Sequence, residues 1–230
     1  KIRIARLIYF PMKLTSNLCS NNKTVKEIFV GNETAASAIR GNFMVTLFSI
    51  LSILVAAFGV VLLIKMVGEE RRNRLEALYA LPLSRAKVYF TYVLTAIFSV
   101  IVAQFLALLG IFIEQLGNEN VLSFTEIMKS GMIWLVAVIF VLAILSLLMG
   151  LVPRFADVIW VYLGFLLFMT YLGKLLNLPK WLENLSIYSQ IPKLPVEKMN
   201  LPTVSLILIL ALVLILIGYK AYERRDLITG

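Results

Sequence analysis

Five stretches without a charged residue punctuate the chain: Gly41 to Ile64 (24 residues), Val88 to Ile113 (26), Ser130 to Pro153 (24), Val158 to Gly173 (16) and Met199 to Tyr219 (21). They make up 111 of the 230 residues. A 24-residue helix is about 36 Å long, enough to cross a hydrocarbon core of about 30 Å with some tilt. The pattern therefore predicts five transmembrane helices, at about 43–66, 88–113, 130–152, 155–176 and 201–220. The 16-residue run reaches spanning length only if Phe155 and Ala156 join one end and Leu175 and Leu176 the other, with Asp157 and Lys174 snorkelling to the interfaces. The expected fold class is all-α, a polytopic α-helical integral membrane protein. Residues 1–42 are expected as an extracytoplasmic polar segment, 43–222 as the transmembrane domain with a cytoplasmic loop at 67–87, and 223–230 as a cytoplasmic tail.

Composition agrees with that reading. At 60% hydrophobic and 15% charged residues, with a mean hydropathy of +0.91, the chain lies outside the range in which a soluble domain hides its apolar surface. Several chemistries fall away as well. The sequence has no histidine, which excludes His-ligated zinc, Ser-His-Asp triads and imidazole proton relays. Cys19 is the one cysteine and forms no internal disulfide. No segment matches the phosphate-binding G-x-x-x-x-G-K-[ST] loop, so the chain brings no nucleotide site of that kind.

The net charge of +9 reads as membrane orientation and not as a nucleic-acid surface, because Lys and Arg lie between the apolar runs instead of on one face. Five spans place alternate segments on the same side, with 12 Lys and Arg against 10, which leaves the positive-inside rule undecided. Without the N-terminal tail the count is 5 against 10. All seven arginines beyond that tail (Arg71, Arg72, Arg74, Arg85, Arg154, Arg224, Arg225) then fall on one side. Loop 65–87 and the C-terminus are expected in the cytoplasm. A further span before Lys1 would reconcile the basic tail with this orientation, and the absence of an initiating methionine fits a chain that begins elsewhere.

The most informative polar segment follows the first run. Glu69 to Pro82 reads as a short amphipathic helix with Leu75, Leu78 and Tyr79 on one stripe and Glu69, Glu70, Arg71, Arg72, Arg74 and Glu76 over the rest, ended by Pro82. Ser84 is placed to cap the next helix, which runs through Arg85 and Lys87 into the membrane. Two readings stay open, a helix lying on anionic headgroups and a docking element for a cytoplasmic partner. The three glutamates favour the second.

These residues also carry a family resemblance. Gly68-Glu69-Glu70-Arg71-Arg72, Leu75-Glu76 and Leu81-Pro82-Leu83-Ser84-Arg85 resemble the E-E-x-x-G-x-x-E-x-L-L-x-x-P-V-S-R stretch of type-2 ABC exporter permeases, in the polyketide-antibiotic exporter branch. Pro153-Arg154-Phe155-Ala156 with Trp160, Leu178-Pro179-Lys180-Trp181-Leu182 with Leu185-Ser186 and Pro192-x-x-Pro195, and Arg224-Arg225-Asp226-Leu227 are similar to three later patches of that branch, in order from about Gly59 to Gly230. Asn73 stands where the family often has glycine, and Ile187-Tyr188 replaces its usual Pro-Phe. The resemblance implies the C-terminal half of a permease lacking its first span, in a prokaryotic cell membrane, beside a second permease half or in a homodimer. It implies an exporter of lipophilic or amphipathic compounds, driven by a separate cytoplasmic ABC ATPase that holds the ATP and Mg. Glu69, Glu70, Arg71, Leu75, Glu76, Leu78, Tyr79, Pro82 and Arg85 would then form the ATPase-docking loop. No catalytic, cofactor or metal residue is expected in this chain.

The runs contain no Asp, Glu, Lys or Arg, which disfavours an ion or proton pathway and suits a greasy cargo. Gln104 is the one large polar side chain well inside, with Ser49, Ser52, Thr95, Ser99 and Ser146 as small ones. Gln104, Ser99 and Ser146 are candidates for a substrate path, although for Gln104 a helix–helix contact is the favoured reading. Between Lys174 and Thr203 lie Pro179, Pro192, Pro195 and Pro202. A short interfacial helix is expected near Lys180 to Leu185, then an extended stretch, with Trp181 and Tyr188 in the headgroup layer and Pro179, Trp181 and Tyr188 as an exit segment. Two other classes stay open. One is a non-transporting scaffold or immunity-type membrane protein. The other is a lipid-modifying enzyme, for which Glu114, Glu119, Glu126 and Asp157 lack paired spacing.

Overall fold

The computed structural model describes residues 33–71, 84–115, 123–172, 180–194 and 200–224. Helix α1 is Glu33–Arg71 and α2 is Arg85–Gln115. The third apolar run divides into α3, Phe124–Met132, and α4, Leu135–Leu151. A 3-10 turn at Pro153–Phe155 leads to α5, Val158–Leu172. Two short helices, α6 (Lys180–Leu185) and α7 (Ile187–Gln190), precede α8, Leu201–Arg224. The described residues form a polytopic helical membrane protein: four helical stretches, at Phe43–Glu69, Arg85–Gln115, Phe124–Leu151 and Leu201–Arg224, have the length and apolar composition to cross a bilayer. At 15 residues α5 is the short rod, about 22 Å long.

Helix α1 departs from the expected boundaries at both ends. It begins within the segment expected as a polar connection, because Glu33-Thr34-Ala35-Ala36-Ser37-Ala38 is rich in the best helix former and opens on an acid that suits a helix N-terminus. It also runs on through Glu69, Glu70 and Arg71, which belong to its last turn and not to a separate amphipathic helix. Helix α2 starts as expected after Ser84, whose Oγ accepts the Lys87 N–H at 3.3 Å while its carbonyl accepts from Lys87 and Val88. Helix α3 starts within the expected loop 114–129, where Ser123 N–H donates to Glu126 Oε2 at 3.0 Å in a capping arrangement.

The break between α3 and α4 has an identifiable cause. Gln104 Nε2, from α2, donates to the Gly131 carbonyl at 3.1 Å. The Trp134 N–H reaches back only three residues, to that same carbonyl, at 3.3 Å, and Val136 likewise reaches Ile133 at 3.2 Å. A side chain inserted into the backbone ladder thus tightens the helix for one turn and bends it. Gly131 admits the approach: a Cβ there would meet Leu108 Cδ2 at 2.1 Å and its Cγ at 2.9 Å.

Helix α4, apolar on every side, is the central rod; it packs most extensively on α8 and also on α1, α2 and α5. The α4–α8 contact rests on small residues. A Cβ on Gly150 would lie 2.1 Å from the Gly218 carbonyl oxygen, and one on Gly218 would lie 2.7 Å from the Ser146 carbonyl oxygen and from Tyr89 Oη. Backbones this close gain dispersion contact that larger side chains would forbid. Each outer rod buries one stripe, as in Val204, Ile207, Ala211, Ile215, Gly218 and Tyr222 of α8, and leaves Leu206, Ile209 and Leu212 exposed. On α2, Leu94, Phe98 and Leu106 are exposed in the same way. Such faces suit acyl chains and would aggregate in water.

Candidate functional site

The bundle has two polar ends. At one, Arg85 Nη1 donates to the Glu223 carbonyl at 3.4 Å, tying the start of α2 to the end of α8. One turn deeper, Tyr89 Oη donates toward the carbonyls of Ser146 (3.3 Å) and Ile215 (3.2 Å), joining α2, α4 and α8. Its ring meets Phe90, Tyr219 and Tyr222 at centroid distances of 5.5, 6.0 and 5.5 Å. Glu69 lies half-buried on the last turn of α1. The side chains of Glu70 and Arg71 lie outside the described residues, as do Leu75, Glu76, Leu78, Tyr79 and Pro82.

The candidate substrate-path residues are not gathered on one surface. Gln104 is fully buried against α3, and Ser146 Oγ bonds the Ala143 carbonyl of its own helix at 2.8 Å beside Tyr89. Tyr89 and Gln104 are 15 residues apart on α2, about 22 Å of helix. Ser99 is half-buried between them.

The opposite end holds a cavity of about 200 Å³. Its walls are Val45, Thr46 and Ser49 from the early part of α1, Trp134 from the bend, and Met169 and Thr170 from the last turn of α5. Its cover is the α6–α7 segment, through Glu183, Asn184, Ser186, Tyr188, Ser189 and Gln190, with Lys193 just beyond. Local bonds fold that segment back on itself: Gln190 Nε2 donates to the Asn184 carbonyl at 3.0 Å, and Ser189 Oγ donates to the Ser186 and Glu183 carbonyls. Helix α6 occupies the expected Lys180–Leu185, but Ile187–Gln190 forms another turn before the chain extends.

Tyr188 is packed inside the bundle, 3% exposed, whereas Trp181 is 67% exposed. The phenol stacks on the Trp134 indole, with centroids 5.6 Å apart and planes at 23°. Ser52 donates to the Ser49 carbonyl at 2.9 Å and shares a 3.2 Å bond with the Tyr188 hydroxyl. Burial pushes the Tyr188 pKa well above that of a free phenol, so the group stays neutral. The stacked ring and the bonded hydroxyl satisfy both the apolar body and the polar tip of this buried tyrosine. Pro179 lies outside the described residues.

Two residues that line the cavity each hold a buried side-chain atom with no hydrogen-bond partner among the described residues, Trp134 Nε1 and Thr170 Oγ1. Neither residue stands out in the sequence, where both sit inside runs read as uniformly apolar. The available signal was an indole N–H, an obligatory donor, four residues into the third run.

The comparisons with known proteins bear on the whole bundle. The Multidrug efflux system permease protein Rv1217c of Mycobacterium tuberculosis (strain ATCC 25618 / H37Rv) is 28% identical over 215 residues, which is 90% of this chain. The chain spans 38% of that relative's length. The family described as multidrug efflux system permease Rv1217c, C-terminal domain, matches residues 12–223, and the chain belongs to that family.

Proposed function

We propose that the chain is the membrane-spanning half of an exporter permease that moves lipophilic or amphipathic compounds out of the cell, powered by a separate cytoplasmic ATPase. The observation that carries this reading is the family match over residues 12–223, to a domain described as part of a multidrug efflux permease. The bundle's physics supports it: among the described residues the rods meet through glycines, serines and apolar side chains, a construction that conducts greasy cargo and gives ions no stepping stones. The chain acts as a transporter component and not as an enzyme, with ATP and Mg held by the partner.

The motor's position follows from sidedness. The Arg85–Glu223 contact brings the segment between α1 and α2 to the same end as the end of α8. Arg85 and Arg224 belong to that end, and the positive-inside rule supports reading it as cytoplasmic. A subunit that pushes on residues 69–85 would move α1 and α2 directly, and α8 through Arg85 and Tyr89. A second permease half, or a second copy, completes the conduit within the membrane lipid.

The test is co-purification with the ATPase subunit encoded beside the permease, comparing wild type with Leu78→Asp and Glu70→Arg. Loss of the complex in either variant, with normal membrane insertion, is the expected result. Equal recovery in all three would refute docking through this loop, and ATP-independent uphill transport by the permease would refute the exporter mechanism.

A further inference from the structure

We propose that the groove between α2 and α8, at the end where Arg85 meets Glu223, binds an anionic phospholipid, with its phosphate held by Lys87 and Lys220 and its acyl chains laid along the exposed leucines beyond. The floor of the groove is a pair of half-buried rings, Phe90 of α2 and Tyr219 of α8, with centroids 5.0 Å apart and planes at 40°. Lys87 precedes Phe90 by one turn and Lys220 follows Tyr219 directly, and both lysines are exposed. Helix positions four and seven apart share a face. Lys87 therefore heads an exposed row through Leu94 and Phe98, and Lys220 heads another through Leu216 and Leu212. At 1.5 Å per residue Leu94 lies about 10 Å deeper than Lys87, and Leu212 about 12 Å deeper than Lys220. Each row is thus an apolar track of acyl-chain depth that ends in an ammonium group.

Charge selects the occupant. Neither lysine has an ion-pair partner among the described residues. Arg224, exposed one turn beyond Lys220, adds a further positive charge. The carboxylate beside them is Glu223, and it accepts the Tyr219 hydroxyl. The surplus is therefore positive where the two apolar rows end, which matches one phosphate above two acyl chains. A zwitterionic lipid brings its own ammonium to the same place and gains less. A second copy of this chain also fits less well, because a two-fold axis through this face would set one lysine-bearing patch against another. The groove lies at the end assigned to the cytoplasm, the side whose leaflet is anionic. The lipid site does not depend on the exporter reading above.

Native mass spectrometry of the full-length permease in neutral detergent, titrated with phosphatidylglycerol and separately with phosphatidylcholine of the same acyl chains, reads the affinity of the first bound lipid. Phosphatidylglycerol is expected to bind roughly twentyfold tighter, about fivefold for each lysine. Lys87→Gln and Lys220→Gln, on exposed side chains whose loss leaves the packing intact, should each remove about that fivefold, and the double variant should bind the two lipids alike. Arg154→Gln takes an exposed charge from the turn between α4 and α5, outside the groove, and should leave the preference unchanged. Equal affinity for the two lipids in wild type, or a preference that survives the double substitution, would overturn the proposal. So would an equal loss in Arg154→Gln, the mark of diffuse attraction to net charge. In a Cys19→Ser background, Leu94→Cys and Leu216→Cys should stay monomeric when native membranes are oxidised; a disulfide-linked dimer would put a second copy on this face and refute lipid as its occupant.

Discussion

The Cα of Gly150 faces the carbonyl of Gly218 so closely that a methyl group built on Gly150 would sit 2.1 Å from that oxygen. Backbone, unlike the tip of a side chain, has nowhere to rotate. Gly150→Ala and Gly218→Val are therefore expected to prise α4 from α8, at a cost of at least about 1–3 kcal/mol. Gly164→Ala on α5, where a Cβ meets nothing within 4 Å, is the matched control and should be neutral or slightly stabilising. Thermal melting in detergent checks both; an unshifted Gly150→Ala protein would contradict the close approach.

Gly131 and Leu108 form a second tight pair, but here one partner is a side chain. Gly131→Ala should destabilise, because three atoms of a fully buried leucine stand within 3 Å of the new methyl. Leu108→Ala should also destabilise, by roughly 2–5 kcal/mol as a core truncation. In the double variant the new methyl enters the space the leucine left, so the combined loss should fall short of the sum by at least about 0.5 kcal/mol. Strict additivity in the double-mutant cycle would show that the two do not compete for one space.

Removing the hydroxyl of Tyr89 tests the three-helix junction. Tyr89→Phe keeps the rings against Phe90, Tyr219 and Tyr222 and loses only the bonds to the Ser146 and Ile215 carbonyls. Interhelical hydrogen bonds in membranes average about 0.6 kcal/mol, so a loss of about 1 kcal/mol is expected. The melting temperature should drop by a few degrees with the yield unchanged. A collapse in yield would mean that the hydroxyl does more than bridge.

Sidedness has a direct chemical test. Ser84 and Trp181 are both exposed and belong to opposite ends of the bundle, whereas Ser186 is only 2% exposed and makes a poor reporter. In a Cys19→Ser background, a membrane-impermeant maleimide on intact cells should label Trp181→Cys and spare Ser84→Cys until the membrane is opened. Labelling of both in intact cells would break the assigned orientation.

Four of the five apolar runs were legible as spans because helix length and bilayer thickness are fixed quantities: the last run, expected at 201–220, is helical over Leu201–Arg224, and the second, expected at 88–113, over Arg85–Gln115, whereas the fourth forms only the shorter Val158–Leu172. Ser84 as the cap of α2 was legible for a local reason, a hydroxyl one residue before a helix start. The family, too, is written in short motifs, such as Gly68-Glu69-Glu70 and Leu81-Pro82-Leu83-Ser84-Arg85. What the pattern of greasy and polar residues left blank was the face each rod turns inward. In lipid the outside of a helix is as apolar as its inside, so hydrophobicity does not separate them. That choice was made by atoms distant in sequence, Gly150 on Gly218, Gln104 on the Gly131 carbonyl and Tyr188 on Trp134. Their packing bent the third run and buried Tyr188 against Trp134.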